Sequence, residues 1–493
     1  MSPLEVATGG AWSVLDREWA DRWLRRAGKA VGGAAALVVV SAASIWLAVQ
    51  LTPMQSVSAA GQTVQVGAAR PGTSLSGPGE LDLFGEAIAT RPHFDGPIRP
   101  RLKLAHIDLG SQIDDAAHDG GDELLPVLSK QLASGWLRYC LWESLIAAGC
   151  AATIAVAVAG VRRASRRTMV AMTAAAVASV CVANAVGVYL LASGTPRALR
   201  QVRTLDDLVG RTPAQPVPAA KGEALTGVRL VVLGDSTAAG IGNRLVDHPT
   251  KADRTCGRSA DSYAADLAAV NDWNVLNLAC QGATVTDGIL GVQTRGDDVI
   301  PPQLAVAQRA TGASTIIVSI GANDVNWAVL TGLCARSPVC DDKASTAYFT
   351  EQLAALTQNY LDLLQQLSVL PHHPDVIVNG YYEPFGPDTG CLKKDGITPA
   401  KAQVLRSRLA ELNTVLENGA DAFHFTSVHP RFDGHRLCSR QPFVQNSADK
   451  APLHPTAAGE LAIALADQQA LNQLRQPGHA QPSTPADHTP DPR

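Results

Sequence analysis

Four short segments of this sequence carry the residue types that an acyl-transfer reaction needs. They are Gly234-Asp-Ser-Thr237, Cys280-Gln-Gly-Ala283, Gly321-Ala-Asn-Asp324 and Leu453-His-Pro-Thr456. A serine hydroxyl beside a histidine can attack a carbonyl carbon, and amide groups can stabilise the oxyanion that forms. Each segment alone is weak evidence, because a serine or aspartate at a helix start is usually an N-cap. In this order, however, they supply a nucleophile, two oxyanion donors and a base.

The sequence around these segments alternates between strand and helix patterns. Runs of β-branched residues are separated by stretches with helical spacing, of which 348–370 and 398–419 are the longest. Such alternation predicts a parallel sheet covered by helices on both faces, with ligands bound beyond the carboxyl ends of the strands. The first three segments follow the first three runs, so we expect them to meet at that edge. The predicted strands are 227–233, 274–278, 315–320, 375–379 and 421–426.

The chain has 493 residues, which is long for one hydrophobic core. With 46% apolar and 17% charged residues, it is too apolar for a disordered protein and too polar to be embedded in a membrane throughout. The formal net charge of −4 gives no basic excess, which argues against nucleic acid as a partner. We therefore expect at least two unlike parts.

Three long apolar stretches, 31–51, 137–161 and 168–193, predict transmembrane helices, because about 20 apolar residues cross a bilayer. Basic residues precede the first stretch, and arginines fill the short segment 162–167. Basic loops stay on the cytoplasmic side of a membrane, so residues 1–30 and 162–167 are expected inside the cell. An odd number of crossings then exports the large C-terminal part.

The first stretch has a second interpretation. The segment Ser58-Ala-Ala60 resembles the cleavage site of a secretory signal, but the polar leader is long for one, so we favour a retained helix.

Arg138 and Glu143 are expected at the outer interface, paired or separately solvated, since a charge at the bilayer centre is costly. Asn184, within the third stretch, is expected to make a helix–helix contact.

The remaining segments differ in composition. Residues 52–136 contain short alternating stretches bounded by Pro and Gly, which predict a small antiparallel, β-rich loop domain on the outer side. Residues 194–225 mix charge with proline and are expected to be a linker, whereas 226–475 should form the α/β domain that carries the four segments. The tail, 476–493, is rich in proline and small polar residues, and we expect it to be disordered.

The four segments together resemble the SGNH (GDSL-type) hydrolases, whose sequence blocks match Ser236, Gly282, Asn323 and His454. The resemblance covers about residues 226–470 and implies a flavodoxin-like α/β sheet carrying a serine esterase. It makes Ser236 the nucleophile and His454 the general base. It also makes the backbone N–H groups of Ser236 and Gly282 and the side-chain amide of Asn323 the oxyanion hole. No cofactor is implied, and the absence of a CxxC pair or His–Cys cluster argues against a metal.

Two aspartates beside the site, Asp235 and Asp324, are expected to fix turns rather than to carry protons. The family pattern Asp-x-x-His is missing, because Ala451 stands three residues before the histidine. Asp449 is one substitute for the lost carboxylate. The chain also resembles the secreted actinomycete branch of the family, which uses a Ser–His dyad whose histidine is oriented by a backbone carbonyl. We favour the dyad, with the Ala451 carbonyl accepting from Nδ1 of His454.

Other residues near the predicted edge have lesser roles. His429 also follows a strand, but it lacks the helix start that follows His454. His435 is expected to order the loop around it. Tyr381 and Tyr382 follow the fourth predicted strand, and we expect them to line the pocket.

The nine cysteines divide between the membrane stretches and the exported domain. Cys140, Cys150 and Cys181 lie in or beside the apolar stretches and are expected to be free. An even set of six in an oxidising compartment predicts three disulfides, with fifteen possible pairings. Similarity to the secreted esterases implies a sequential pairing: Cys256 with Cys280, Cys334 with Cys340, and Cys391 with Cys438.

These expectations combine into a multi-pass membrane protein with an SGNH-type serine esterase domain on the extracytoplasmic side. Its substrates would be carboxylic esters of envelope lipids, of acylated glycans or of small molecules, and its protein partners stay open. One alternative is an acyltransferase that uses the same residues with a sugar hydroxyl in place of water, since both reactions share an acyl-enzyme. Another is an inactive envelope scaffold.

Overall fold

The computed structural model describes residues 11–59, 62–69, 76–95, 98–107, 124–198 and 216–475. The predicted tail at 476–493 and most of the predicted linker, 199–215, lie outside the described residues. The described chain forms a group of long helices, a small β-sheet and an α/β domain.

The three predicted apolar stretches all lie in long helices. The described residues contain three helices long and apolar enough to cross a membrane, over Ala30–Leu51, Ala133–Val161 and Arg166–Leu190. The second of these helices already begins at Leu124, before its apolar stretch. The complete helices are α1 (Ala11–Leu51), α2 (Leu124–Val161) and α3 (Arg166–Ala198).

Small residues bring these three helices together. Buried alanines of α1, α2 and α3 form one cluster, as small side chains do where helices approach closely in a membrane. Asn184 donates to Glu143 Oε2 at 2.6 Å, which places the predicted Asn184 contact between α3 and α2. Glu143 is 1% exposed, whereas Arg138 is exposed, so the suggested pairing of these two residues is wrong. The Glu143 carboxyl faces another helix, so its partner is a side chain of that helix and not an exposed residue of its own helix.

The β-rich region forms one five-stranded sheet in the order β1-β2-β5-β3-β4. The predicted antiparallel arrangement is correct for three pairs, but β3 and β5 run parallel. Period-two alternation marks a strand without giving its direction, so the sequence could not show this crossover. The strands are β1 (Gln55–Ala59), β2 (Gln62–Ala68), β3 (Ser76–Leu83), β4 (Glu86–Asp95) and β5 (Pro100–Ile107).

The α/β domain is built on five parallel strands in the order β7-β6-β10-β11-β12. This strand order is flavodoxin-like, as the family resemblance implied. Its switch point lies beside β6, the first of these strands in the sequence. Two hydrophobic clusters fill the space between the sheet and its covering helices. The sheet strands are β6 (Val228–Gly234), β7 (Asn274–Asn277), β10 (Thr315–Ser319), β11 (Asp375–Asn379) and β12 (Thr426–Val428), and a hairpin consists of β8 (Gln293–Arg295) and β9 (Asp298–Ile300).

Helices alternate with these strands. The two long predicted helical stretches are confirmed as α9 and α10. The helices are α4 (Ser236–Ala239), α5 (Lys251–Cys256), α6 (Tyr263–Asn271), α7 (Gln303–Ala307), α8 (Trp327–Arg336), α9 (Lys343–Ser368), α10 (Pro399–Ala422) and α11 (Ala457–Leu474), with a 3₁₀ turn at Gly390–Asp395.

The fifth predicted strand, 421–426, is displaced in the structure. Helix α10 continues to Ala422, and the strand begins only at Thr426. Between them, Phe423 and Phe425 stack at 5.9 Å and pack against the core. The apolar residues of this segment therefore belong to a turn, which a local alternation pattern does not distinguish from a strand.

The small sheet packs directly against the α/β domain through the turn between β3 and β4. Phe84 occupies this turn with a positive φ of 56°, a backbone conformation that is unfavourable for a bulky residue. Its side chain is 2% exposed and meets the ring of Tyr360 edge-on at 6.0 Å. The Phe84 carbonyl accepts a hydrogen bond from Asn418 Nδ2 of α10 at 2.9 Å. The strained turn is therefore maintained by its contact with the other domain.

We expect Phe84→Ala to weaken this contact. Removing a buried phenylalanine costs about 3–5 kcal/mol, so the melting temperature of the purified full chain should fall by several degrees. Val299→Ala, at an exposed position of β9, is the control and should leave the melting temperature unchanged. An unchanged melting temperature for Phe84→Ala would contradict the role of this turn in joining the domains.

Candidate active site

Ser236 lies at the carboxyl end of strand β6. The strand ends at Gly234 and helix α4 begins at Ser236, so only Asp235 separates them. Gly234 closes the strand at a point where a Cβ would collide with the carbonyl oxygen of Ser319. The side-chain amide of Gln303 binds both sides of Gly234, accepting from its N–H at 2.8 Å and donating to its carbonyl at 2.9 Å. Ser236 then becomes the first residue of α4. Its backbone is thus fixed at the strand-to-helix turn.

Asp235 fixes this turn from its buried side. One carboxylate oxygen accepts from the Thr237 N–H at 2.9 Å, and the other accepts from the Tyr381 hydroxyl at 2.6 Å. The Tyr381 hydroxyl in turn accepts from the Ala322 N–H at 2.9 Å. Burial raises the pKa of Asp235 to about 6, although these donors oppose the shift. These contacts fix the turn that carries Ser236.

The segment around Gly282 is held beside the same strand end. The Cys280 N–H donates to the Gly234 carbonyl at 3.0 Å, and a disulfide joins Cys280 to Cys256. Gly282 has a φ of +76°, which glycine adopts without strain, and a Cβ there would crowd Arg295. Among the described residues, no hydrogen-bond acceptor is found for the backbone N–H of Gly282 or of Ser236. Both groups are free to donate to an oxyanion.

Asn323 and Asp324 connect the third segment to the second. Asn323 Nδ2 donates to the Ala283 carbonyl at 2.9 Å, which uses one of its two amide hydrogens. Asp324 Oδ1 accepts from the Val285 N–H at 3.0 Å. Desolvation raises the pKa of Asp324 to about 7. Asp324 therefore ties the Gly282 segment to the end of β10, in agreement with its predicted role.

His454 meets Ser236 across the sheet edge. Its Nε2 lies 2.8 Å from Ser236 Oγ, although 218 positions separate the two residues in the sequence. Nδ1 lies 3.0 Å from the carbonyl oxygen of Pro452, a geometry in which Nδ1–H donates and Nε2 is left to accept. The serine and the histidine are thus placed for proton transfer.

The carbonyl that orients His454 differs by one residue from the prediction. The nearest acceptor for Nδ1 is Pro452 rather than Ala451, whose carbonyl accepts from the His454 backbone N–H at 3.2 Å. The chain turns tightly before the histidine, with Leu453 at a φ of +69°, so the later carbonyl faces the ring. Burial lowers the pKa of His454, and the carbonyls of Pro452 and Ala451 partly oppose this shift.

Asp449 has a local partner in the same loop. Its carboxylate accepts from the Asn446 N–H at 2.8 Å, and its own N–H donates to the Asn446 carbonyl at 3.1 Å. These contacts close a turn several residues before the histidine. They favour the backbone-oriented dyad over a triad that includes Asp449.

Two residues, Tyr382 and Gln445, hold the histidine loop through contacts that the sequence does not reveal. The Tyr382 hydroxyl donates to the Leu453 carbonyl at 2.6 Å. Gln445, which is 5% exposed, donates from its backbone N–H to the His454 carbonyl at 2.7 Å and from Nε2 to the Pro455 carbonyl at 2.9 Å. The position of Tyr382 after a strand was a signal for the pocket, but no local pattern distinguishes Gln445 or Gln303 from other polar loop residues.

The two other histidines of this edge have different partners. His429 Nε2 lies 3.5 Å from Glu417, on the helix α10. His435 stacks on Phe443 at 3.9 Å, and its Nδ1 lies 2.9 Å from the Gln441 carbonyl, so it orders its own loop as predicted. In the described part of the chain, no group of three or more His, Cys, Asp or Glu residues could hold a metal ion.

The serine, the histidine and the asparagine open into one pocket of about 110 Å³. Tyr381 and Tyr382 are part of its wall, as predicted. The wall also contains apolar side chains from α8 and α10. The lining residues are Ser236, Thr237, Ala322, Asn323, Trp327, Ala328, Tyr381, Tyr382, Pro384, Leu409, Leu453 and His454.

The structure contains the three disulfides that the family resemblance implied. The first braces the Gly282 segment, the second closes a short loop after α8, and the third joins the 3₁₀ turn to the loop of His435. Cys140, Cys150 and Cys181 are free. The bonded pairs are Cys256–Cys280, Cys334–Cys340 and Cys391–Cys438.

Comparison with known proteins identifies relatives of the α/β domain. Residues 232–462 match the GDSL-like Lipase/Acylhydrolase family. Lipase 1 of Streptomyces coelicolor is 28% identical over 281 residues, which cover 54% of this chain and 95% of the relative. A lipase of Streptomyces rimosus is 27% identical over 244 residues, covering 47% of this chain and 81% of the relative.

Two solved structures are also similar to about half of this chain. The extracellular lipase of Streptomyces rimosus is 22% identical, with a TM-score of 0.38, and the match covers 50% of this chain and 99% of that one. Phospholipase A1 of Streptomyces albidoflavus NA297 is 22% identical, with a TM-score of 0.37 and the same coverage.

The α/β domain is thus a hydrolase domain of the SGNH type, as the four sequence segments indicated. This domain matches the GDSL-like lipase/acylhydrolase family over residues 232–462, and the protein is an ester hydrolase whose described residues include three long apolar helices before the domain.

We expect Tyr381→Phe to lower kcat by tenfold or more with little change in KM, because the Asp235 carboxylate and the Ala322 N–H both lose their partner. Hydrolysis of p-nitrophenyl acetate by the full chain measures both constants. Since the Tyr381 hydrogen bond lowers the pKa of Asp235, the variant should also change the dependence of kcat on pH between 5 and 8.

Tyr360→Phe is the matched control. The Tyr360 hydroxyl is also buried and donates to the Leu416 carbonyl at 3.0 Å, but it lies outside the pocket. Its loss should reduce stability by about 1–2 kcal/mol and leave kcat and the pH profile unchanged. Equal effects of both substitutions on kcat would show that Tyr381 acts only through stability.

Proposed function

We propose that this protein hydrolyses carboxylic esters through an acyl-enzyme on Ser236, with His454 as general base. The observation that carries the proposal is the 2.8 Å contact between His454 Nε2 and Ser236 Oγ. It is supported by the carbonyl on Nδ1, which leaves Nε2 as the acceptor. Burial lowers the pKa of His454, so the imidazole is neutral and able to accept a proton at pH 7.

In the first half of the reaction, Ser236 Oγ attacks the ester carbonyl carbon while its proton passes to Nε2 of His454. The carbonyl oxygen takes the negative charge. The N–H groups of Ser236 and Gly282 and the second amide hydrogen of Asn323 stabilise this oxyanion. The imidazolium then gives its proton to the leaving alcohol, and the acyl group stays on the serine.

In the second half, a water molecule gives a proton to His454 and attacks the acyl carbonyl. The same donors stabilise the second oxyanion. Ser236 leaves and recovers its proton from the imidazolium, and the acid is released. The cycle needs no carboxylate as a third triad member, because the Pro452 carbonyl holds the imidazole in the required tautomer.

We further propose that the hydrolase domain is anchored to the cell membrane and lies on its outer side. Three apolar helices support an odd number of crossings, and the arginines at 162–167 support a cytoplasmic turn between the second and third. The three disulfides favour an oxidising compartment for the α/β domain. Esters of the cell envelope, on lipids or acylated glycans, are then the accessible substrates.

Ser236→Ala and His454→Ala should each lower kcat for p-nitrophenyl acetate by at least about 10³-fold in the full chain, because both groups act in one unit. Asp449→Ala is the contrasting variant, and it should retain most of the activity. A fluorophosphonate probe should label the wild type but not Ser236→Ala.

Equal turnover by the wild type and Ser236→Ala would overturn the assignment of the nucleophile. A loss of several orders of magnitude in folded Asp449→Ala would replace the dyad with a carboxylate triad. Product analysis with an added polysaccharide separates hydrolysis from acyl transfer, since a transferase would move the acyl group to the sugar instead of releasing the acid.

The topology makes a separate prediction. Alkaline phosphatase fused after Gly194 should be active, because it would be exported with the hydrolase domain. The same reporter fused after Arg163 is the control and should be inactive in the cytoplasm. Activity of the second fusion and not of the first would reverse the proposed orientation.

A further inference from the structure

The walls of the active-site pocket are large side chains that belong to the two hydrophobic cores. Leu409 of α10 is 5% exposed, and Tyr381 and Tyr382 are 8% and 6% exposed. Each tyrosine is also fixed by a hydrogen bond, to Asp235 or to the Leu453 carbonyl. This part of the wall is packed into the core, so we expect it to keep its shape when a substrate enters.

Trp327 is the largest side chain of this wall. It is the first residue of α8, and its backbone N–H donates to the Ala322 carbonyl at 2.9 Å, which fixes it next to Asn323. Its ring packs against both hydrophobic clusters. Among the hydrogen bonds of the described side chains, none involves its indole, unlike the hydroxyls of the two tyrosines. Trp327 therefore occupies space in the pocket without holding a catalytic group.

The volume of the pocket limits what can lie beside Ser236. A group the size of a water molecule or a methylene takes roughly 30 Å³. About 110 Å³ thus holds three or four such groups, far fewer than the ten carbons of a decanoyl chain. The polar groups of the pocket surround the reacting carbonyl, and the rest of the wall is apolar, so the acyl chain is the part of the ester that fits there.

We propose that this site takes esters of short acyl groups, about two to four carbons long, and that Trp327 sets the limit. The inference rests on the proposed function, because it needs the ester carbonyl to lie at Ser236. The alcohol lies outside the pocket, so its size is not restricted. Longer acyl chains would have to leave the pocket and would lose the contacts that orient the carbonyl.

The test compares kcat/KM for p-nitrophenyl acetate, butyrate and decanoate, each below its critical micelle concentration, with the purified full chain. The wild type should favour butyrate over decanoate by at least tenfold. Trp327→Ala should raise the ratio of decanoate to butyrate hydrolysis by tenfold or more. Val329→Ala, at an exposed position of the same helix outside the pocket, is the control and should leave the ratio unchanged.

A second variant covers the case in which Trp327→Ala does not fold. Ala328 lines the pocket from an exposed position of α8, so a larger side chain is tolerated there. Ala328→Leu should narrow the pocket and lower butyrate hydrolysis at least fivefold more than acetate hydrolysis.

The outcomes separate the two proposals. Equal hydrolysis of all three esters by the wild type, abolished in Ser236→Ala, would overturn the acyl-length limit and leave the proposed function intact. An unchanged ester preference in folded Trp327→Ala or in Ala328→Leu would overturn the role of this wall. No hydrolysis of any ester would overturn the proposed function, and the acyl-length limit with it.

Discussion

The active site depends on one long-range contact, the hydrogen bond that joins Ser236 near the start of the α/β domain to His454 near its end. A hydrogen bond of this kind contributes only about 1 kcal/mol, which cannot by itself bring together residues so far apart in the chain. The backbone must place both groups beforehand. The structure does this with buried polar side chains that bind backbone atoms beside each residue, Gln303 and Asp235 on the serine side and Gln445 on the histidine side. Their role explains why polar residues are tolerated in this interior, since each has its partner there.

Helix α10 connects this arrangement to the small five-stranded sheet. Leu409 forms part of the pocket wall, and Asn413, one turn later, binds both the N–H and the carbonyl of Tyr381 at 2.8 Å. Further along the same helix, Asn418 binds the Phe84 carbonyl of the small sheet. One rigid element thus contacts both the active-site tyrosine and the turn that joins the two domains. The small sheet is therefore part of the support of the hydrolase domain, whereas its sequence alone suggested an independent loop domain.

The sequence predicts those features that local pattern determines. The long helices, four of the five sheet strands and the turns carrying Ser236, Gly282 and Asn323 follow from periodicity and from the residues after each run. The sequence identifies His454 because its segment is the last of the four and a helix starts directly after it. The sequence gives no sign that this histidine lies close to Ser236. The features that were missed depend on the tertiary structure. The carbonyl of Pro452 replaces that of Ala451 because of one backbone turn at Leu453, and the parallel pairing of β3 with β5 depends on a crossover. Gln303 and Gln445 have no distinguishing pattern, because their importance comes only from the backbone atoms that they reach.

The buried carboxyls beside the site affect its electrostatics. An oxyanion forming near Asn323 would be opposed by negative charge on Asp235 and Asp324. Burial raises the pKa of Asp235 to about 6 and desolvation raises that of Asp324 to about 7, so both lose charge as the pH falls from 8 to 5. Over the upper part of this range His454 stays neutral, because burial lowers its pKa below the ordinary value. The same desolvation therefore keeps the base available while it reduces the charge that opposes the oxyanion. Near neutral pH the histidine can therefore accept the serine proton, and the Asp324 carboxyl carries only part of its charge.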